Sequence, residues 1–359
     1  MPPNSRRSLL TKARVPQRTY DSVAYFAKRA PRYQAALEGC PAARSLDFIP
    51  YLTAISQLDV GIDQAARVFE AFGGTGFLAR GLSRFDFDFA VVDGCVEMLQ
   101  GVSSLPRVEP IVTMDDFKAT VSVFGSKSFD LVLCHGGLHH VVGPGDPPDP
   151  DASRARQSAV VTRLARIVRP GGALVVADIP EGVPSQLGSQ RVGVNLSEDV
   201  LRKCFSSGSL SFLARVLALK EGQPWSVEEI ERLVETKLWQ PVQFPVPRHY
   251  FDEFVAKQSE MGHVAVFPDF EQLHQVITSE GLELMWRLNY RGPWIFSSRG
   301  EAGWFFREKF SLFDPSPLGV DPESEEAVFN SIRRFLGGQE SKDWVSVNWG
   351  VTYAAYRRQ

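Results

Sequence analysis

The feature that most constrains this chain is a change of rhythm at Ala66. From there, short apolar runs alternate with helical segments, a pattern satisfied by a parallel sheet covered by helices. Strands are predicted over 67–71, 87–92, 109–113, 129–134 and 173–178. The clearest intervening helix is predicted over 154–168, where Val160, Val161, Leu164, Ile167 and Val168 form one apolar stripe. The stretch before it, VGPGDPPDPDAS over 142–153, is rich in Pro and Asp and reads as a surface loop.

The alternation stops after Asp178. The next stretch is broken by Pro180, Pro184, Pro224, Pro241, Pro245, Pro247 and Pro268 and carries helical runs over 210–219 and 226–238, which reads as an inserted helical lid. A helix over 270–280, a stop at Gly281, a strand over 282–290, two more helices and a last alternating strand over 344–356 close the pattern. Ahead of the alternation, 20–56 shows helical spacing broken at Pro31, Pro41 and Pro50, the mark of a few short helices laid on a larger body. The first eighteen or so residues read as a basic, partly mobile arm. The predicted organisation is therefore an arm and helical cap over 1–60, an α/β core over 61–180, a helical lid over 181–269, and the rest of the core with a C-terminal antiparallel strand pair over 270–359. The resulting fold class is α/β, with a mostly parallel sheet and helices on both faces.

With 359 residues, 44% of them hydrophobic and 23% charged, the chain is long and apolar enough to bury a sizeable core. A formal net charge of -3 argues against nucleic acid or an anionic membrane as the main partner and points to a small molecule. No run of apolar residues is long enough for a membrane span. Cys40, Cys95, Cys134 and Cys204 are far apart and form no CxxC, which fits a reducing cytoplasm. Ser5-Arg6-Arg7-Ser8-Leu9-Leu10 resembles a twin-arginine export signal, but polar residues come after it where a hydrophobic segment is required. The oligomeric state is left open, a homodimer included.

Chemistry concentrates first in Val68-Phe69-Glu70-Ala71-Phe72-Gly73-Gly74-Thr75-Gly76, an apolar strand running into a glycine turn that opens a helix. Such a turn lets the backbone approach a ligand closely. On this stretch alone two ligand classes compete, nicotinamide dinucleotides and S-adenosylmethionine, and Asp93 at the end of the next strand suits a ribose in either. Glu70 separates them: an acid before the glycines repels a pyrophosphate and attracts a cationic amino group.

Five ordered pieces, VFEAFGGTG, AVVDGCVEML, VTMDDF, SFDLVLCHGGLHHV and LARIVRPGGALVVAD, together resemble the class I S-adenosylmethionine-dependent methyltransferases of the small-molecule, type 11-like subgroup. The resemblance covers roughly 66–178. It implies a Rossmann-like seven-stranded sheet and S-adenosylmethionine as cofactor. By the same resemblance Glu70 and the backbone of Gly73, Gly74 and Gly76 face the methionine part and Asp93, with Gly94 and Met98 beside it, the ribose; Asp115, Asp116 and Phe117 face the adenine. The family's first motif glycine is replaced by Phe72, which implies either a slightly displaced turn or a ring that forms part of the cofactor wall, and Cys134 and His135 at the end of the fourth strand complete the candidate cofactor residues.

His135 and His139 are the candidate catalytic bases, since imidazole titrates near neutral pH. The plainer alternative is that His139-His140 packs and caps the turn. The i, i+4 spacing of His135 and His139 would suit a metal, but no acid accompanies the pair and no metal is expected. In the lid and beyond, Arg248, Tyr250, His263, Arg291 and Trp294 are candidates for binding a substrate carboxylate or stacking on a flat group, against the plainer reading of lid core and solvated charge. The leading expectation is a small-molecule methyltransferase, acting on oxygen, nitrogen or carbon, in specialised metabolism. Beside it stand a transferase of the aminocarboxypropyl group or a cyclase releasing methylthioadenosine, an inactive cofactor-binding module, and a nicotinamide oxidoreductase, against which the Pro170-Gly171-Gly172 turn speaks.

Overall fold

The fold is taken from a computed structural model, which describes residues 23–58, 65–113, 116–126, 128–145, 147–182, 195–220, 223–238, 264–290, 292–310 and 324–359. The basic arm, Asp115, Arg248, Tyr250, His263 and Arg291 lie outside the described residues.

In chain order the elements are α1 (Ala30–Gly39), α2 (Phe48–Ser56), β1 (Ala66–Ala71), α3 (Phe77–Gly81), β2 (Phe87–Asp93), α4 (Val96–Leu99), β3 (Val108–Val112), α5 (Lys118–Phe124), β4 (Phe129–His135), α6 (Pro150–Arg166) and β5 (Val168–Asp178). Next come β6 (Asn195–Leu196), α7 (Glu198–Cys204), α8 (Ser207–Leu217), β7 (Trp225–Ser226), α9 (Val227–Leu233), α10 (Phe270–Ser279), β8 (Leu282–Tyr290), β9 (Trp294–Phe296), α11 (Arg299–Phe310), α12 (Glu325–Leu336), β10 (Val345–Val347) and β11 (Val351–Arg358).

Seven strands form one sheet in the order β3-β2-β1-β4-β5-β11-β8. The pairs among β1 to β5 are parallel, while β11 runs antiparallel between β5 and β8. This is the predicted Rossmann-like sheet with its antiparallel strand. Strand order reverses between β1 and β4, where α/β sheets open a crevice at the carboxyl ends of the strands. Register aligns those ends: Ala71 stands beside Val92 and Cys134, Asp93 beside Val112, and His135 beside Ala177.

Both faces are buried, as the continuous apolar runs of β1, β4 and β5 require. One face packs against α2, α3 and the described part of the insertion through Phe48, Leu52, Leu78, Phe205, Leu213 and Trp225. The other packs against α6 and α10 through Phe69, Val132, Val160, Leu164, Leu273 and Ile277. A third cluster joins α1, α11 and α12 to the β9–β10 pair through Trp294, Phe296, Phe305, Phe306 and Phe329.

Two local expectations are corrected and one is sharpened. The helical residues 23–27 break off at 28–29, ahead of Pro31 as the spacing predicts, and Pro31 and Pro50 themselves sit near the starts of α1 and α2, where a missing N–H goes unneeded. Likewise α6 begins at Pro150, inside the Pro- and Asp-rich stretch, because Asp149 caps it by accepting from the Ala152 N–H at 2.8 Å. The alternating run over 344–356 is two strands, β10 and β11; β10 pairs with β9 outside the main sheet. Among the described residues no helix is long and apolar enough to cross a membrane.

Candidate active site

A cleft opens at the carboxyl ends of β1, β2, β4 and β5, and it is lined by Glu70, Phe72 to Thr75, Asp93 to Cys95, Met98, Asp116, Phe117, His135, His139 and Asp178. The turn after β1 is built by its glycines. Gly74 and Gly76 have φ of +52° and +72°, the left-handed region that favours glycine, and a Cβ on Gly73 would lie 2.3 Å from Val91 Cγ1.

Glu70 is buried at the tip of β1, and its two carboxylate oxygens accept from the backbone N–H of Leu78 (3.1 Å) and Ala79 (3.0 Å). Burial pushes its pKa up to about 8, against the pull of those two hydrogen bonds. The consequence for ligand class is direct. In dinucleotide-binding folds the N–H groups at this helix start meet the pyrophosphate, but here a carboxylate has filled the place. The spare lone pairs of Glu70 suit a cation instead.

Asp93 completes the turn. Its Oδ2 accepts from Gly74 N at 2.8 Å and its Oδ1 from Cys95 N at 2.8 Å, so one side chain ties the end of β2 to both the glycine turn and α4. Burial raises its carboxyl while these backbone bonds oppose the rise. On the same turn Thr75 Oγ1 is buried with no hydrogen-bond partner among the described residues. An anchored acid for the ribose side, an acid for an amino group and an orphaned hydroxyl fit the polar groups of S-adenosylmethionine. Val23 and Phe26 close over Cys95 and Met98 on this side.

Phe72 occupies the place of the first motif glycine and retains a glycine-like backbone, with φ of +55°. Its ring meets Phe117 edge-on at 4.7 Å, and Gly137 leaves room for it, since a Cβ there would fall 2.2 Å from Phe72 Cβ. Asp116 and Phe117 also have positive φ, 52° and 67°. The Asp116 carboxylate is held by Arg156 Nη2 at 2.6 Å, and its carbonyl accepts from Arg163 Nη1 at 2.8 Å. Cys134 is fully buried in the core on the α6 face of the sheet.

The two histidines have different surroundings. His135 Nε2 lies 2.7 Å from Arg44 Nη2, and Nδ1 lies 2.7 Å from Tyr51 Oη. Arginine offers donors only, so Nε2 accepts and the ring proton sits on Nδ1, donating to Tyr51. Burial, then the charges of Arg44 and Lys309, hold the His135 pKa well below its ordinary value. Its basic nitrogen is thus spent on Arg44. His139 is buried with Nδ1 2.7 Å from Asp178 Oδ1; Asp178 also accepts from the backbone N–H of His139 (3.2 Å) and Ile179 (2.7 Å). The carboxylate accepts from Nδ1–H, so Nε2 is the nitrogen turned away from Asp178. The two rings face different partners.

Residues 264–267 are strapped along this turn: Val266 N donates to His139 O at 2.8 Å, and Gln157 Nε2 donates to Val266 O at 2.7 Å. Trp294, the described member of the predicted substrate residues, is buried in the cleft wall and stacks on Trp349 at 4.4 Å. Arg44, Tyr51 and Asp178 join the site without a place among the sequence-based candidates. An acid at the end of β5 was the available signal for Asp178; Arg44 and Tyr51 arrive through tertiary contacts that no local pattern announces.

The family model described as "Methyltransferase domain" matches residues 71–176. Residues 71–176 are a class I S-adenosylmethionine-dependent methyltransferase domain. Three solved structures share 10–14% sequence identity with this chain. A putative methyltransferase from Bacillus halodurans C-125 is 14% identical, with 87% of this chain and 100% of that one covered and a TM-score of 0.41. The cyclase SpnF is 13% identical, with coverage of 86% and 80% and a TM-score of 0.41. Geranyl diphosphate C-methyltransferase from Streptomyces coelicolor A3(2) is 10% identical, with coverage of 88% and 78% and a TM-score of 0.39. No curated protein matches the sequence.

Proposed function

We propose that this methyltransferase acts on a small-molecule acceptor held beside His139. The observation that carries the reading is that one cleft contains both the cofactor carboxylates, Glu70 and Asp93, and the His139–Asp178 pair. Its other walls include Tyr33, Arg44, Phe267, Trp294, Lys309 and Trp349, which supports an acceptor small enough to enter between them.

S-adenosylmethionine supplies an electrophilic methyl on a sulfonium. The chain's own residues do the rest. Glu70 takes the amino group and Asp93 the ribose hydroxyls, while the glycine turn admits the ligand against the backbone. His139 Nε2 receives the proton of an acceptor O–H or N–H, and Asp178 stabilises the resulting imidazolium. The aromatic walls exclude water and hold the nucleophile in line, which supplies much of the acceleration of a displacement. Four unpaired thiols support the assignment to a reducing cytoplasm.

The test is incubation with methyl-labelled S-adenosylmethionine and a panel of hydroxylated, amino and 2-oxo acids. Labelled product with S-adenosylhomocysteine is expected. Methylthioadenosine instead would assign the site to aminocarboxypropyl transfer or cyclisation, and binding without turnover across the panel would make the domain an inactive cofactor module.

A further inference from the structure

We infer that the acceptor subsite of this cleft is built for an anion, and that its occupant is a planar aromatic carboxylate recognised by Arg44 and Lys309. The inference rests on the proposed small-molecule methyltransferase reading and names the acceptor's chemical class.

Arg44 lies between α1 and α2, and its side chain is only 7% exposed. Its Nε donates to Asp47 Oδ2 at 2.7 Å and its Nη2 to His135 Nε2 at 2.7 Å. Nη1 makes no hydrogen bond among the described residues, although Arg44 lines the cleft. The guanidinium carbon sits 3.7 Å from the centre of the Phe77 ring and 5.2 Å from that of Trp294. Lys309, reaching in from α11, places Nζ 5.0 Å from the same Trp294 ring and donates to Tyr33 Oη at 3.0 Å. Two cations from distant parts of the chain thus converge on one indole in the wall of the cleft that holds His139.

Two groups report the sign of the field there. Burial raises the Tyr33 phenol, yet Lys309 and Arg44 outweigh it and leave the pKa below its ordinary value. His135 is driven well down, by burial first and by the same two cations next. Asp47 answers only in part: burial pushes its carboxyl up, against the pull of Arg44, and it is already engaged by Arg44 and by Trp294 Nε1 at 3.3 Å. Glu70, Asp93, Asp116 and Asp178 line the same cleft, so the attraction for an anion is local to the Arg44–Lys309 wall, where Nη1 of Arg44 gives it a geometric anchor. A planar occupant matches the aromatic wall in which half-buried Trp349, stacked on the fully buried Trp294 at an interplanar angle of 17°, lines the cleft with Tyr33.

The experiment titrates the full chain, with and without saturating S-adenosylhomocysteine, with salicylate, 2-naphthoate and indole-3-carboxylate and with the matching carboxamides. At least one acid is expected to bind about tenfold more tightly than its amide, a preference typical of charge-assisted bonds to a desolvated cation. Lys309→Gln and Arg44→Gln are each expected to reduce that preference to about threefold or less. Because Arg44→Gln also strips bonds from Asp47 and His135, Lys309→Gln and the weakening of the wild-type preference by added salt are the independent readouts. Equal binding of acid and amide across the panel, or a preference unchanged in Lys309→Gln and insensitive to salt, overturns the inference. Failure to bind S-adenosylhomocysteine overturns the methyltransferase reading alone, since the acid–amide comparison is also made without it.

Discussion

His139 Nδ1 lies 2.7 Å from Asp178 Oδ1, and this one bond makes Nδ1 the nitrogen that donates to the carboxylate. If His139 is the general base, His139→Ala lowers kcat by roughly 10²–10⁴-fold, the range for such a group, and leaves affinity for S-adenosylhomocysteine nearly unchanged. Single-turnover methyl transfer beside calorimetric binding separates the two. An unchanged kcat would mean that the acceptor needs positioning but no base.

Glu70 links cofactor binding to pH. With its pKa raised to about 8 by burial, it is mostly protonated in the unliganded protein at pH 7, whereas a bound ammonium favours the ionised form. Affinity for S-adenosylhomocysteine is therefore expected to rise between pH 6 and about 8, with net proton release on binding at pH 7. Titration calorimetry in buffers of different ionisation enthalpy measures that release, and Glu70→Gln should abolish it. The same shift makes folding stability fall as pH climbs from the ordinary carboxylate range toward 8, because the native state holds a proton that the unfolded chain has lost.

Asp93→Ala removes the acceptor for two backbone donors at once, Gly74 N and Cys95 N. A fully buried donor left unpaired costs about 1–3 kcal/mol, so the loss of two part-buried bonds should show in chemical denaturation as at most roughly 2–6 kcal/mol. Cofactor affinity should fall at least about tenfold as the turn loosens, checked by calorimetry. Retained affinity would remove Asp93 from the cofactor site.

At Phe72 the ordinary order of alanine and glycine should reverse. A side chain at φ of +55° costs about 1–2 kcal/mol that glycine does not incur. Phe72→Ala keeps that strain and loses the contact with Phe117, whereas Phe72→Gly loses the contact and relieves the strain. Phe72→Gly should therefore be the more stable variant by about 1 kcal/mol in urea unfolding. The opposite order would show that the backbone there carries no strain.

Four of the five strands up to Asp178 are legible as buried apolar runs, β3 (Val108–Val112) being only partly buried, and the ends that carry Glu70 and Asp93 follow from that reading. The features that escape have identifiable causes. Pro31, Pro50 and Pro150 look locally like breakers, although a proline is also tolerated in a first helical turn and only the residues after it tell which. The split of 344–356 depends on β9, a partner some fifty residues earlier, rather than on any local signal. Within the site, the glycine turn announces itself by composition. The Arg44–His135 contact spans 91 positions and is set by how α1 and α2 dock, which no periodicity encodes.

Strand β11 lies between β5 and β8, and it is drawn from residues that come after the whole insertion. During synthesis β5 therefore waits with an open edge, and β8 emerges with no neighbour in the main sheet until 351–358 arrive. An unpaired edge is a template for pairing with another chain. Polypeptides interrupted before that point keep the whole glycine turn yet leave the β5 and β8 edges unpaired, which makes the last strand the keystone of the sheet.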